Sequence, residues 1–280
     1  INGNSSITES FDFLSSQFYT AIPHAVGRSR PPVISDVDTL RARYDMCNIL
    51  LDMYDTNEIL RGLDAKRELE RAQTALLPNP IDERYESLKA DLSLMDSTSN
   101  EYAQLEQYFS NTAPNRKSSK LLNAWKVDRK GEKERFQAFG DMDNRTLLWH
   151  GTNIAVVAPI ITSGLRIMPH SGGRVGAGIY LASMREKSQQ YTSGFSGKYA
   201  CMLLCEAPLG RQHVVKHDGG DISSLTKPPS GFDSVLAAGR VQPKNWLDVM
   251  LDDCAVRVPQ GKIETPSEFA SSDFKHDEYL

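Results

Sequence analysis

The centre of the chain reads Leu147-Leu148-Trp149-His150-Gly151-Thr152, a run of apolar residues that ends in a histidine and a glycine. Such a run is typical of a buried β-strand. A glycine directly after a strand lets a ligand approach the backbone and bond to its N–H and C=O groups. His150 is therefore a candidate binding residue, and the alternative is a histidine whose ring is satisfied in the core.

A glycine-rich loop, Gly172-Gly173-Arg174-Val175-Gly176-Ala177-Gly178, leads into a predicted strand over residues 178–182. A dinucleotide-binding fingerprint requires its glycines after a strand and at the start of a helix. Here they precede a strand, so the Rossmann interpretation fails, and the loop either covers a ligand or simply enters a hairpin. Ser183-Met184-Arg185-Glu186 has the spacing of a capping box, which predicts a helix that carries Ser188 and Tyr191 on one face.

A third segment, His276-Asp277-Glu278-Tyr279, lies at the end of the chain on a predicted strand over residues 274–280. In this order and spacing the three segments resemble the His–Tyr–Glu constellation of the poly(ADP-ribose) polymerases, which cleave NAD and transfer its ADP-ribose. The resemblance extends from about residue 11 to the last residue and is strongest over 147–191. The stretch from Ser163 to Arg174 is most similar to the zinc-finger-free, DNA-damage-responsive members that mainly attach single ADP-ribose units.

The resemblance implies a role for each matching residue in binding NAD. His150 would bind the adenosine ribose, Thr152 would line the pocket, and Arg166 would border the adenosine side. A flat aromatic amide such as nicotinamide suits two tyrosine rings, a hydroxyl and a backbone amide. The implied nicotinamide site takes these groups from Gly151, Tyr180, Ser188 and Tyr191.

Glu278 matches the catalytic glutamate of the family, although a carboxylate near a chain end is usually a solvated edge residue. Breaking the bond between nicotinamide and ribose passes through an oxocarbenium-like state, as glycoside hydrolysis does. A carboxylate bonded to the ribose 2′-OH would stabilise that charge and could activate an incoming hydroxyl. The expected catalytic residues are thus His150, Tyr180 and Glu278, with NAD as substrate and no metal.

The first 78 residues predict a small all-helical unit. Residues 11–18 suit a short amphipathic helix, and apolar residues recur with helical spacing over 40–54. A second, charged helix is predicted over 64–76. It ends at Leu77-Pro78-Asn79-Pro80, where two prolines mark a domain boundary.

Beyond this boundary the sequence predicts an α+β domain. One further helix is indicated by the spacing of Tyr85, Leu88, Leu92 and Met95, and another by Tyr102, Leu105 and Phe109. Short apolar runs separated by turn residues then predict mainly antiparallel strands, without the regular βαβ alternation of a doubly wound sheet. The resemblance implies an ADP-ribosyltransferase fold, with a partial helical regulatory domain at 1–78 and the catalytic domain at 79–280.

Composition excludes several classes of protein. The net charge of −4 provides no basic footprint for nucleic acid, and no run of eighteen apolar residues predicts a membrane span. Four cysteines are too few for a disulfide scaffold in 280 residues. Cys201 and Cys205 have no histidine placed to complete a zinc site. Because the chain begins with Ile1 and stops within a predicted strand, we expect a fragment of a larger protein.

The resemblance implies a nuclear NAD-dependent protein ADP-ribosyltransferase of the DNA-damage response, acting on protein acceptors that include itself. Any dependence on DNA breaks would reside in parts of the protein outside this chain. One alternative is a regulatory module that binds NAD or ADP-ribose without turnover, which Ala177 favours because many relatives carry lysine there. Another is an NAD glycohydrolase with water as the acceptor.

Overall fold

The computed structural model describes residues 4–22, 31–71, 79–116, 119–167, 172–192, 199–251 and 254–280. Within these ranges the α-helices are α1 (Asn4–Ala21), α2 (Val37–Arg71), α3 (Pro80–Ser87), α4 (Asn100–Asn111), α5 (Glu132–Phe136), α6 (Val157–Ser163), α7 (Arg185–Gln189) and α8 (Gly220–Ser223). The strands are β1 (Ala90–Leu94), β2 (Trp125–Arg129), β3 (Arg145–Gly151), β4 (Gly172–Gly173), β5 (Gly176–Ala177), β6 (Met202–Pro208), β7 (Gln212–Val215), β8 (Ser234–Ala237), β9 (Gln242–Pro243), β10 (Trp246–Leu251), β11 (Cys254–Pro259), β12 (Ile263–Glu264) and β13 (Glu278–Tyr279). Helices precede a region of mainly antiparallel strands, which confirms the predicted α+β class.

The chain divides into two compact units, Ile1–Leu51 and Asp52–Leu280. In the first unit, Ile34 N donates to the buried Ser15 hydroxyl at 2.9 Å, which joins α1 to the segment before α2. None of the helices in the described ranges is long and apolar enough to cross a membrane.

The central sheet of the second unit has the strand order β10-β11-β3-β6. β3 pairs with β6 antiparallel along its whole length and contacts β11 in parallel. Successive side chains of a strand point to opposite faces. Leu148 accordingly packs against Ala207 and Leu209 on one face, whereas Trp149 on the other face lies 5.0 Å from Tyr108, ring centre to ring centre. Both faces of β3 are therefore covered, and this packing holds the strand that carries His150 in place.

A second sheet has the order β13-β8-β7, with β7 and β8 parallel and β13 antiparallel to β8. Its core contains one residue of the glycine-rich loop, Val175, which is 1% exposed. The other buried members of this core are Val215, Val235, Ala237 and Phe274. The glycine-rich loop is therefore anchored by an apolar side chain at the sheet that carries Glu278.

Two helix predictions differ from the structure. The helices predicted over 40–54 and 64–76 form one continuous helix, α2, because Gly62 is tolerated inside a helix. The predicted end of the second helix, over residues 72–78, lies outside the described residues. The helix predicted through Tyr85 and Met95 is wrong: α3 ends at Ser87 and β1 follows. Leu92 and Leu94 are two residues apart, which also fits a strand, and this segment forms a strand because it pairs with β2.

Two strand predictions were too long. Only isolated bridges form within residues 178–182, and only Glu278 and Tyr279 form a regular strand within 274–280. The glycine-rich loop is itself a minimal hairpin in which β4 pairs with β5. The predicted strand around His150 is confirmed and extends over all of β3.

Candidate active site

Two backbone bridges bring the three sequence segments side by side. Trp149 and Ala182 exchange two hydrogen bonds, each 2.9 Å long between N and O. Leu181 and Tyr279 exchange two of 2.9 and 2.8 Å. Next to these bridging residues lie the three predicted catalytic residues, His150, Tyr180 and Glu278. Residues that are far apart in the sequence thus lie on three adjacent stretches of backbone.

His150 is held by the backbone of the neighbouring stretch. Its Nδ1 lies 3.0 Å from the carbonyl oxygen of Tyr180. A carbonyl can only accept, so Nδ1 carries the proton, and Nε2 of the neutral ring is left as an acceptor. Burial lowers the pKa of His150 below its ordinary value, with the bond to Tyr180 opposing that effect. The ring is therefore neutral at neutral pH and presents Nε2 to a ligand.

Gly151 is required by the close approach of α7. A Cβ added at Gly151 would collide with the carbonyl oxygen of Ser188, which is backbone and cannot move aside. The buried Ser188 hydroxyl in turn donates to the Trp149 carbonyl at 2.8 Å. Strand β3 and helix α7 thus pack at backbone distance, and the predicted nicotinamide-binding groups of Gly151 and Ser188 lie together.

Tyr180 connects the glycine-rich loop to the bridged strands. Its hydroxyl donates to the Gly176 carbonyl at 2.7 Å and accepts from Val175 N at 3.3 Å. A Cβ at Gly173 would collide with this hydroxyl. The Tyr180 hydroxyl therefore sets the position of the loop, and the ring is the part that could contact a flat ligand.

Helix α7 begins without the predicted capping box. Its N-cap is Met184, whose side chain makes no capping bond, and the first N–H groups, those of Arg185 and Glu186, donate instead to the hydroxyl and the carbonyl of Thr112 at 3.2 and 3.0 Å. The Ser183 hydroxyl donates instead to Asp277 at 3.5 Å, and the Glu186 carboxylate accepts from the Asn115 amide at 2.9 Å. The prediction is wrong because tertiary partners engage both side chains.

Glu186 is a buried anion that ties α7 to two other segments. In addition to the bond from the Asn115 side chain, the Glu186 oxygens accept from Asn115 N at 3.2 Å and from Lys275 Nζ at 3.1 Å. Burial raises the pKa of Glu186, but the bonds from Asn115 and Lys275 outweigh burial and lower the pKa to about 2. The carboxylate is therefore ionised at neutral pH and fixes the first turn of the helix that carries Ser188.

Glu278 is paired with a cation of α7. Its Oε1 accepts from Lys187 Nζ at 2.7 Å, and the two side chains are only 7% and 19% exposed. Oε2 accepts no bond within the described part of the chain. The same Lys187 Nζ lies 5.4 Å from the ring centre of Tyr191, whose side chain is largely exposed. Helix α7 thus holds one of the two carboxylate oxygens of Glu278.

Two predicted binding residues lie at the margin of this arrangement. Thr152 follows β3 directly and is half-buried. Arg166 is exposed and lies near Asp52 of α2: burial raises the pKa of that carboxyl, and the charge of Arg166 opposes the rise. In the described residues, no three histidine, cysteine, aspartate or glutamate side chains are grouped to hold a metal ion.

Sequence reasoning missed two residues that contact this site. Lys187 lies beside the predicted Ser188, but nothing in the sequence indicated that it would pair with Glu278. Asp277 directly precedes Glu278 and is buried, with its carboxylate bonded to three groups. The sequence does show a charged residue directly before Ser188 and another directly before Glu278. Only the fold shows that these two charges are buried.

Comparison with known proteins identifies the family of the chain. The family model "Poly(ADP-ribose) polymerase catalytic domain" matches residues 99–280, and "Poly(ADP-ribose) polymerase, regulatory domain" matches residues 1–85. The human "Protein mono-ADP-ribosyltransferase PARP3" is 46% identical over 277 residues, which cover 97% of this chain and 50% of that protein. The Gallus gallus protein of the same name is 42% identical over 269 residues, or 95% of this chain and 49% of that protein.

A more distant relative is a longer protein. The Xenopus laevis "Poly [ADP-ribose] polymerase 1" is 34% identical over 275 residues, which cover 95% of this chain and 26% of that protein. The chain thus spans about half the length of the mono-ADP-ribosyltransferases that it matches, and less of this polymerase. With the three bridged segments in place and both family models matched, the chain belongs to the poly(ADP-ribose) polymerase family.

Proposed function

We propose that the chain is an NAD-dependent protein ADP-ribosyltransferase that releases nicotinamide and attaches single or short ADP-ribose units to protein side chains. The observation that carries the proposal is the meeting of three distant segments through the Trp149–Ala182 and Leu181–Tyr279 bridges. These bridges join the three backbone stretches that carry the neutral His150 ring, the Tyr180 ring and the buried Glu278 carboxylate, and this supports the proposal. A module that only binds would not require a buried carboxylate with one free oxygen.

The donor would be held by groups with distinct chemistry. His150 would accept from the adenosine ribose through Nε2, with Thr152 and Arg166 lining the adenosine side. A backbone amide, two rings and a hydroxyl would hold nicotinamide, taken from Gly151, Tyr180, Tyr191 and Ser188. The Ser188 hydroxyl already donates to the Trp149 carbonyl, so towards a ligand it would act as an acceptor.

Glu278 would carry the chemical step. As the bond between the ribose C1′ and the nicotinamide nitrogen breaks, its electron pair leaves with neutral nicotinamide and positive charge develops on the ribose. Oε2 of Glu278 would accept a bond from a ribose hydroxyl and oppose that charge, while Lys187 holds Oε1. An acceptor oxygen on a protein then bonds to C1′ and gives up its proton, for which Glu278 is the nearest candidate base.

The organisation proposed for the whole protein rests on relatives that are twice as long. We place a partial helical regulatory domain at 1–78 and the catalytic domain at 79–280. A nuclear role in the DNA-damage response, automodification, and a dependence on DNA breaks through parts outside this chain extend the same proposal.

The test is incubation of the purified chain with NAD labelled in its adenylate part, followed by a denaturing gel and mass analysis of the products. Glu278→Gln is run alongside, with Glu268→Gln, an exposed glutamate of the same terminal region, as the control. We expect label on the wild-type and Glu268→Gln bands and a loss on the order of 10²–10⁴-fold in Glu278→Gln.

Two outcomes would overturn the proposal in different directions. Thermal stabilisation by nicotinamide without label on any band would favour the binding module. Free ADP-ribose without protein-linked product would identify a glycohydrolase. A single sharp labelled band would favour single units, and an upward smear would favour longer chains.

A further inference from the structure

Asp277 forms a buried polar centre next to the proposed catalytic glutamate. Asp277 is only 3% exposed. Oδ1 accepts from Gly239 N at 2.7 Å, and Oδ2 accepts from the Tyr279 hydroxyl at 3.2 Å and the Ser183 hydroxyl at 3.5 Å. The carboxylate therefore has three donors from three separate parts of the chain.

Each of these donors belongs to a segment that also positions Glu278. Ser183 directly precedes the first turn of α7, the helix that brings Lys187 to Glu278. Gly239 follows β8, whose Ala237 pairs with Glu278 in the sheet. A Cβ at Gly239 would collide with the backbone of His276 and Asp277, so the turn after β8 lies directly against this segment.

Removing Asp277 would therefore loosen Glu278 on two sides. Neither the strand pairing at Glu278 nor the Lys187 ion pair depends directly on Asp277, so Glu278 would still be present. Its position relative to α7 and β8 would be less fixed. A displacement of about 1 Å at a reacting group can cost on the order of 10²-fold in rate.

We propose that Asp277 is a positioning residue for ADP-ribosyl transfer, whose buried carboxylate fixes Glu278 relative to helix α7 and strand β8 through Ser183 and Gly239. The inference rests on the proposed function, because it assigns a role in that reaction. Asp277 does not itself contact the substrate; it acts through the groups around Glu278.

The environment of Asp277 also makes this role dependent on pH. Burial raises the pKa of Asp277 to about 7, against the opposing bonds from Gly239, Tyr279 and Ser183. The ionised form accepts all three donors, so we expect the maximal rate to rise as pH increases through about 7. His150 and His276 have pKa values below the ordinary value, for His276 about 4, so they titrate at lower pH.

Other titratable and polar groups face this centre from each neighbouring element. They are Lys275, His276, Glu278 and Tyr279 of the terminal segment, Ser183, Glu186 and Lys187 at α7, Gln242 of β9, and Arg257 of β11, whose charge acts on Tyr279. Glu186 is ionised throughout this range of pH, because its pKa is lowered to about 2. Asp277 is therefore the group expected to titrate near pH 7.

The experiment compares kcat and KM for NAD of the wild-type chain, Asp277→Asn and Asp277→Ala between about pH 6 and about pH 8.5. In Asp277→Asn, Oδ1 still accepts from Gly239, but the amide nitrogen cannot accept from the Ser183 and Tyr279 hydroxyls, so the variant reproduces the protonated acid. Asp233→Ala is the control, because it also removes a carboxylate that accepts a backbone N–H, here that of Arg211, at an exposed position four residues before Ala237, the strand partner of Glu278.

We expect Asp277→Asn to have, at every pH, the lower kcat that the wild-type chain shows below about pH 7, and so to lose the inflection. Asp277→Ala should lower kcat by roughly 10–10²-fold with KM for NAD within about twofold. The inference is overturned if Asp277→Asn keeps the wild-type inflection, and this result decides even where Asp277→Ala fails to fold. A wild-type chain without turnover at any pH would instead refute the proposed function.

Discussion

Lys187 Nζ lies 2.7 Å from Glu278 Oε1, and the pair is almost completely removed from solvent. Burial alone would lower the pKa of Lys187, but the hydrogen bond to Glu278 and its negative charge outweigh burial, so the pKa lies above its ordinary value. The helix that carries the proposed nicotinamide site and the strand that carries the proposed catalytic carboxylate are thereby joined by opposite charges.

Lys187→Met tests this pair. Removing one partner of a buried ion pair leaves the other charge uncompensated, which typically costs about 3–5 kcal/mol of stability. We expect a loss of that size in urea denaturation, together with a reduced kcat. Lys126→Met is the control, because its pair with Glu101 is more than half exposed on both sides and is worth at most about 1 kcal/mol. Equal effects of the two substitutions would contradict the buried pair.

Gly151→Ala tests the close packing of β3 against α7. The added methyl group would overlap the Ser188 carbonyl, so strand and helix must separate, at a cost of about 1–3 kcal/mol. We expect a lower unfolding free energy and a higher KM for NAD. Gly62→Ala is the control, since no atom lies within 4 Å of the added Cβ and α2 is helical there; it should stabilise by about 0.5–1 kcal/mol. An unaffected Gly151→Ala would show that the helix can shift freely.

Tyr180→Phe tests whether the hydroxyl positions the glycine-rich loop. It removes the bonds to the Gly176 carbonyl and from Val175 N, each worth about 0.5–1.5 kcal/mol. We expect KM for NAD to rise by roughly 5–30-fold with a smaller change in kcat. Tyr85→Phe, which loses one bond from Leu92 N away from the site, should leave KM unchanged. A Tyr180→Phe enzyme with normal KM would exclude this role.

Glu186→Gln tests the buried anion at α7 and its pH dependence. The pKa of Glu186 is lowered from 4.5 to about 2, so its ionisation stabilises the fold above about pH 4.5, and this contribution is lost as pH falls toward about 2. The wild-type chain should therefore be more stable than the variant at pH 7, and the difference should shrink over that acid range. Glu58→Gln, from an exposed pair with Arg61, should change little at any pH. A difference that is independent of pH would contradict the ionised state.

Secondary structure was predicted correctly where it depended on residues that are close together in the sequence. The apolar run before His150 is typical of a buried strand, and β3 is that strand. The helix around Tyr102 and Phe109 is likewise present as α4, with Ser99 as its N-cap. At β1 the leucine spacing fitted a helix and a strand equally, and the choice was made by β2, which lies more than thirty residues further along.

The capping box failed for a related reason. Ser183 and Glu186 have the correct spacing for local capping, but a buried side chain bonds to whichever partner the fold brings to it. Asp277 and Asn115 are those partners, and no local rule could have identified them. The same holds for Lys187, whose pairing with Glu278 joins positions 187 and 278.

By itself the sequence determined the three chemically able residues, His150, Tyr180 and Glu278, and the α+β class, because residue identity and local spacing are properties of the chain. Only the tertiary structure decided which neighbours surround them. The Trp149–Ala182 and Leu181–Tyr279 bridges, the buried Lys187–Glu278 pair and the Asp277 centre all depend on contacts between distant segments. Burial of a charge is a property of those contacts, so its consequences for pKa and position appear only in the folded chain.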